Sequence, residues 1–158
     1  MQKKITTFLT FDGRAEEAVD FYTSVFDDSR VLSKSHYGEA GPGPAGSLMS
    51  ATFELVGQEF VALNGGPSFT FSQGISLFVD CKDQDEVDEL WERLSEGGEK
   101  GPCGWLTDKF GVSWQIIPRA LGELLGDEDR EKAQRVMNAM LQMSKIEIDA
   151  LRKAYEAG

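Results

Sequence analysis

The chain repeats one pattern of strand, acidic turn and amphipathic helix, and this repeat constrains the fold more than any other feature. Residues 7–26 read TFLTFDGRAEEAVDFYTSVF, and residues 75–94 read ISLFVDCKDQDEVDELWERL. In the second part of each segment, apolar residues recur at intervals of three and four, as on one face of a helix. The repeat predicts two modules of similar structure.

Each half continues with further segments that are typical of strands. The first half contains RVLSKSHYG, LMSATFELV and EFVALNG, and a Gly57-Gln58 connection joins the last two as in a hairpin. The second half contains a short strand near Trp105 and the segment GVSWQIIP. The sequence therefore predicts an α+β fold of two βαβββ modules that form a curved mixed sheet around a trough. The predicted modules span about residues 3–66 and 73–118 within a domain of residues 1–118.

Alternation along the strands predicts which side chains share a face. Ile5, Thr7, Leu9 and Phe11 form a mainly apolar row, as do Ile75, Leu77 and Val79, and these rows are expected beneath the helices. Pairing Val56 with Glu59 would place several hairpin residues together on the open side of the sheet. The predicted aromatic walls of the trough are Phe8, Phe53, Phe60, Phe78 and Trp105. The polar groups predicted to orient a ligand there are Asn64, Ser76 and Gln115, and Thr6 is a further predicted ligand-binding residue.

The charge and hydropathy of the chain exclude several classes of partner. Its formal net charge is −11, and such a field repels nucleic acid and anionic lipid. No segment approaches the roughly 20 consecutive apolar residues of a membrane-spanning helix. The first residues lack the pattern of a signal peptide, which favours a cytoplasmic protein.

Metal-ligating and nucleophilic residues are few. The chain has two cysteines, Cys81 and Cys103, and one histidine, His36, so a zinc site of several such ligands is not expected. Both cysteines can be reduced thiols in or near the core. Alternatively, Cys103 can be a reactive thiol, since it lies in a glycine-flanked loop.

Residues 119–158 are predicted to form a helical tail. RALGELLG is typical of a short helix, and a longer helix follows from Asp127. Ser144 and Glu147 have the spacing of a capping box that starts another helix. The tail is expected to cover the body of the domain or a partner subunit, and a lid over a ligand is the alternative.

The two βαβββ halves, the segment AEEAVDFYTSVF, the hairpin EFVALNGGPSFTF and the ending CGWLTDKFGVSWQIIP together resemble the vicinal-oxygen-chelate superfamily. They are most similar to its PhnB-like branch, which is often labelled demethylubiquinone methyltransferase. The resemblance implies a homodimer and a trough in which superfamily enzymes hold a divalent metal. The ligand positions it implies here are Thr6 or Phe8, Ala62 or Asn64, Gly74 or Ser76, and Gln115.

Of these positions, only Gln115 carries a ligand type that is common in the superfamily. Hydroxyls and amides do not offset the cost of removing water from a divalent cation. The sequence therefore favours a protein without a cofactor, which binds a small, partly apolar metabolite or drug in the trough. The alternative is a metal-dependent lyase, isomerase or dioxygenase of the same superfamily. A third hypothesis is a protein whose main activity is self-association.

Overall fold

The computed structural model describes residues 4–157, which form two compact units with a boundary between Thr70 and Phe71. The predicted domain start at residue 1, the predicted module start at residue 3 and the end of the tail at residue 158 lie outside the described residues. Within residues 4–157, every helix is too short or too polar to cross a membrane.

Unit 1 contains one mixed four-stranded sheet and one helix. Its elements are β1 (Thr7–Phe11), α1 (Ala15–Val25), β2 (Ser29–His36), β3 (Leu48–Leu55) and β4 (Gln58–Asn64). The strand order is β1-β4-β3-β2, with β1 parallel to β4 and the other neighbours antiparallel. Helix α1 buries its apolar stripe against the sheet, where the ring of Tyr22 stacks on that of Phe53.

Unit 2 repeats this plan and adds three helices. Its first elements are β5 (Ser76–Cys81), α2 (Gln84–Ser95), β6 (Glu99–Lys100), β7 (Trp105–Thr107) and β8 (Ser113–Pro118), and its last are α3 (Arg119–Leu125), α4 (Arg130–Leu141) and α5 (Ile148–Glu156). The strand order β5-β8-β7-β6 matches that of unit 1. The α+β class, the two βαβββ modules and the C-terminal helices are confirmed. That the two sheets enclose one trough stays a prediction.

The β3–β4 hairpin turns at Val56 and Gly57, one position earlier than the sequence indicates. Leu55 pairs with Gln58 and Phe53 pairs with Phe60, so the predicted pairing of Val56 with Glu59 is wrong. The error shifts the register by two residues and therefore leaves the same hairpin side chains grouped on one face of the sheet. Both turn residues have positive φ, 48° at Val56 and 83° at Gly57, which is the conformation of a type I′ turn.

Substitution of Val56 by asparagine is expected to stabilise unit 1 by about 1 kcal/mol, because asparagine tolerates the left-handed conformation that a β-branched residue resists. Val56 is 62% exposed, so no packing is lost. Urea denaturation of Val56→Asn checks the result. The matched control is Val31→Asn in β2, where valine has no positive φ and pairs with Phe53 of β3, so the same substitution should not stabilise. Equal effects of the two substitutions would contradict the explanation.

A glutamine at the start of α2 forms two hydrogen bonds with the tail. The side chain of Gln84 donates from Nε2 to the carbonyl of Ile146 at 2.9 Å and accepts at Oε1 from the backbone N–H of Ile148 at 2.7 Å. The predicted capping box is wrong, because Ser144 donates to the carbonyl of Gly101 and Glu147 makes no side-chain cap. The side-chain carbonyl of Gln84 thus takes the place of the predicted Ser144 cap at the start of α5.

A hydrophobic cluster joins the tail to the end of β8. Its buried members are Ile117, Leu121, Val136, Ile146 and Leu151. Two methionines of the tail, Met140 and Met143, are partly buried and pack against this cluster. The three C-terminal helices are therefore part of the packed core of unit 2.

Candidate functional site

The hairpin phenylalanines lie on the helix-covered face of the sheet in unit 1. Phe53 is 0% exposed, Phe60 is 5% exposed, and their rings stack with centroids 5.5 Å apart. The prediction that they line an open wall together with Phe8 is therefore corrected. The cause is the parallel pairing of β1 with β4, which aligns Leu9 with Ala62 and so places the even-numbered residues of β4 beneath α1.

Asn64 lies on the same covered face and has a structural role. Its Oδ1 accepts a hydrogen bond from the backbone N–H of Ala15 at 2.9 Å, which satisfies a donor in the first turn of α1. Its Nδ2 donates to the carbonyl of Leu48 at 3.1 Å. Tyr37 donates its hydroxyl to the backbone carbonyl of Asn64. These partners occupy the amide that the sequence assigns to a ligand.

The two remaining site residues of unit 1 lie in or next to β1. Phe8 pairs with Val61, points away from the α1 side and is 57% exposed. Thr6 immediately precedes the strand and is half-buried. Ile5, expected beneath the helix, lies before the strand and is 88% exposed.

Four predicted site residues come together on the open face of the sheet in unit 2. Phe78, Gln115 and Trp105 form one row across β5, β8 and β7, because Gln115 pairs with Phe78 on one side and Trp105 on the other. Gln115 donates from Nε2 to Oγ of Ser76 at 2.9 Å. Phe78 is 59% exposed, while Gln115 and Trp105 are half-buried. The row therefore places an oriented amide between two aromatic rings.

This arrangement can orient a ligand without supplying charge. The bond to Ser76 fixes the Gln115 amide and directs its carbonyl oxygen as an acceptor. The aromatic neighbours provide flat apolar surface on either side. Such a combination of apolar walls and a few placed polar groups is typical of a small-molecule site.

The described residues offer no strong set of metal ligands. Within residues 4–157, no three side chains of His, Cys, Asp or Glu come close enough to hold a metal ion. His36 is exposed on β2, the edge strand of unit 1. Gln115 contributes one amide oxygen, which is a weak ligand for zinc, nickel or iron.

The sequence interpretation missed Asp108, which organises the β7–β8 connection. The residue is 2% exposed. Its Oδ1 accepts from the backbone N–H groups of Phe110 and Val112 at 2.9 and 3.0 Å, and its Oδ2 accepts from the indole Nε1 of Trp114 at 2.9 Å. The sequence does contain a signal for this role. Asp108 precedes Gly111 by three positions, and aspartate at the first position with glycine at the fourth is the pattern of a type I turn.

Comparison with known proteins gives the same family. The family model described as 3-demethylubiquinone-9 3-methyltransferase matches residues 3–117. A PhnB protein from Bacillus cereus with this same methyltransferase description is 44% identical, with a TM-score of 0.66 over 73% of this chain and 99% of that one. No curated protein matches the chain.

Two more distant structures show the fold alone. Protein PA1353 from Pseudomonas aeruginosa is 23% identical, with a TM-score of 0.61 over 74% of this chain and 98% of that one. The fosfomycin resistance protein FosX from Listeria monocytogenes, in complex with Mn(II) and sulfate, is 18% identical, with a TM-score of 0.53 over 72% of this chain and 89% of that one. With this family match, the chain belongs to the PhnB-like family described as 3-demethylubiquinone-9 3-methyltransferase, and its two βαβββ modules have the fold of the vicinal-oxygen-chelate superfamily.

Proposed function

We propose that the protein binds a small, partly apolar molecule on the open face of the sheet in unit 2, without a conventional metal site. The observation that carries this proposal is the hydrogen bond from Gln115 to Ser76 in a row flanked by Phe78 and Trp105. An exposed phenylalanine beside a fixed amide is suited to cover an apolar ligand while the amide orients it.

The proposal extends to the first module and to a second copy of the chain. In unit 1, Phe8 is exposed to nearly the same fraction as Phe78, and each lies on the strand that opens its module. A partner subunit in a cytoplasmic homodimer would cover such exposed rings. In unit 1, Thr6 would add a hydroxyl beside Phe8.

The methyltransferase description does not fit the architecture of the described residues. A common adenosylmethionine site uses a glycine-rich turn between a buried parallel strand and a helix of a doubly wound sheet. Residues 4–157 contain two mixed four-stranded sheets instead. We therefore assign the chain a binding role and place no methyl transfer in it.

The test is a thermal-shift screen of a metabolite and drug library, followed by titration of each stabilising compound against Phe78→Ala. We expect at least one compound to bind and its affinity to fall about tenfold in the variant, because a large apolar contact is lost. The matched control is Phe69→Ala, since Phe69 is 56% exposed and lies in unit 1 before the boundary. Absence of any stabilising compound at millimolar concentration, or equal losses in both variants, would overturn the proposal.

Metal analysis of the freshly purified protein separates this proposal from the metal-dependent alternative. We expect zinc, nickel, iron and manganese far below one equivalent per chain. Stoichiometric metal that is lost in Gln115→Leu would favour the enzyme. The leucine variant has a similar volume and removes the whole amide, including the oxygen that would bind a metal.

A further inference from the structure

A cavity of about 500 Å³ lies within unit 2 beside the row of Phe78, Gln115 and Trp105. Its walls come from the segment before β5, the β6–β7 connection and the strands β7 and β8. The lining residues used below are Gln73, Lys100, Cys103, Trp105, Thr107 and Ser113. The volume is that of a site for a small organic molecule. The family comparison and the sequence interpretation assign no role to most of this lining.

The cavity contains an unsatisfied hydroxyl. Ser113 is 2% exposed, and no group within residues 4–157 forms a hydrogen bond with its Oγ. It pairs with Ser76 on one side and Thr107 on the other, so its side chain lies on the open face beside the Gln115 row. A buried hydroxyl without a partner is unfavourable by about 1–3 kcal/mol. Such a group is retained where a water molecule or a ligand supplies the missing bond.

The charges around the cavity favour a neutral ligand. Lys100 already pairs with Glu92, at an Nζ to Oε1 distance of 2.8 Å. Among the described residues that line the cavity, the carboxylate is that of Glu99, which is exposed, so its charge is solvated and attracts a cation only weakly. A chain with a net charge of −11 disfavours an anion. The half-buried indole of Trp105 supplies a flat wall on which an aromatic ring can stack.

We infer that this cavity binds a neutral aromatic molecule that carries a hydroxyl group, with its ring against Trp105 and its hydroxyl bonded to Ser113. The inference rests on the proposed function, because Trp105 belongs to both sites, and it names the ligand class and the subsite. Thr107 and Gln73 supply further polar atoms at the wall.

Cys103 provides a reporter inside the cavity. It is a free cysteine with a half-buried side chain that lines the cavity wall. The other free cysteine, Cys81, is 0% exposed, and burial together with the nearby Glu86 and Asp80 raises the pKa of its thiol to about 12. Alkylation by iodoacetamide will therefore modify Cys103 first, since the thiolate is the reactive form.

The experiment measures the rate of Cys103 alkylation against the concentration of methyl 4-hydroxybenzoate, a neutral phenol. We expect this probe to slow alkylation at least fivefold at saturation, and its Kd to rise about three- to tenfold in Ser113→Ala, the effect of one hydrogen bond. Methyl benzoate, which lacks the hydroxyl, should bind both proteins equally. The matched control is Ser95→Ala, which removes a buried serine hydroxyl from α2 and should leave the Kd unchanged.

Each other outcome has a defined meaning. Failure of the probe to protect Cys103 at millimolar concentration, stronger protection by the anion 4-hydroxybenzoate, or an unchanged Kd in Ser113→Ala would each overturn the inference. The proposed function would survive that failure if a library compound loses affinity in Phe78→Ala while Cys103 alkylation proceeds at its free rate. Thermal denaturation of Ser113→Ala shows whether the variant folds, and removal of an unsatisfied hydroxyl should not lower its Tm.

Discussion

Replacement of Asp108 by asparagine should lower the free energy of unfolding of unit 2 by about 2–4 kcal/mol, because the buried carboxylate is lost and the new amide presents an N–H group to the indole N–H of Trp114. Asp108 accepts from two backbone N–H groups and from the indole of Trp114. An asparagine can keep the backbone bonds through its oxygen, but its NH₂ group then faces the Trp114 N–H. Urea denaturation followed by Trp fluorescence measures the loss.

A double-mutant cycle with Trp114→Phe isolates this conflict. Phenylalanine removes the indole donor, so Asp108→Asn should be less destabilising in that background by about 1–2 kcal/mol. The exposed Asp80, which pairs with Arg119 at the surface, serves as the control, and Asp80→Asn should change stability by less than about 1 kcal/mol. Additive effects of Asp108→Asn and Trp114→Phe would contradict the assigned role of the indole bond.

Replacement of Gly104 by alanine should destabilise unit 2 by about 3 kcal/mol or more, through both backbone strain and steric overlap. Gly104 has a φ of +84°, and an added Cβ would lie 2.7 Å from Cδ1 of Ile117, 3.0 Å from the carbonyl oxygen of Ile116 and 3.1 Å from Cγ1 of Ile146. Its N–H also donates to the carbonyl of Ser144 at 2.8 Å. The substitution should therefore loosen the tail as well, which hydrogen exchange of α5 amides can detect.

The matched control is Gly122→Ala, for which the expected sign is opposite. Gly122 lies within α3, and an added Cβ there meets no atom within 4 Å. Alanine should stabilise this helix by about 0.5–1 kcal/mol, since glycine is the less favourable residue in a helix interior. A loss of stability at Gly122, or faster exchange in α5 in both variants, would contradict the local explanation for Gly104.

The sequence predicts the modules well because periodicity is a local property. The stripes of α1 and α2 and the buried positions Leu9 and Phe11 follow directly from intervals of three to four and of two. Because the two strand-helix segments have the same pattern, they predict two similar modules without any knowledge of long-range contacts. The same logic identifies the short helix α3 and the longer helix α4 of the tail.

The residues that were assigned to the wrong face depend on pairing between distant strands. Alternation groups Phe53 with Phe60 but leaves open which side α1 covers, and the parallel pairing of Phe11 with Asn64 decides it. A phenylalanine suits a core and a ligand wall equally well. Only the strands that stand beside it in the sheet distinguish the two environments.

The missed and misread polar residues depend on tertiary partners. The sequence indicates a turn at Asp108 but gives no distance to an indole six residues later. Ser144 has the spacing of a cap, yet the carbonyl of Gly101 lies within reach and takes its hydroxyl. Local capping preferences amount to about 1 kcal/mol, so one such long-range bond is enough to override them.

The position of Leu151 in the core of unit 2 has a consequence for the order of events during synthesis. All the strands of unit 1 precede Thr70, so that half has its complete set of partners early in translation. The second half stays incomplete until α5 has left the ribosome, because Leu151 of that helix is fully buried in the cluster. A nascent chain that ends before α5 thus contains a complete first unit and an incomplete second unit. The apolar surface of the second unit is therefore exposed to chaperones for the longer time.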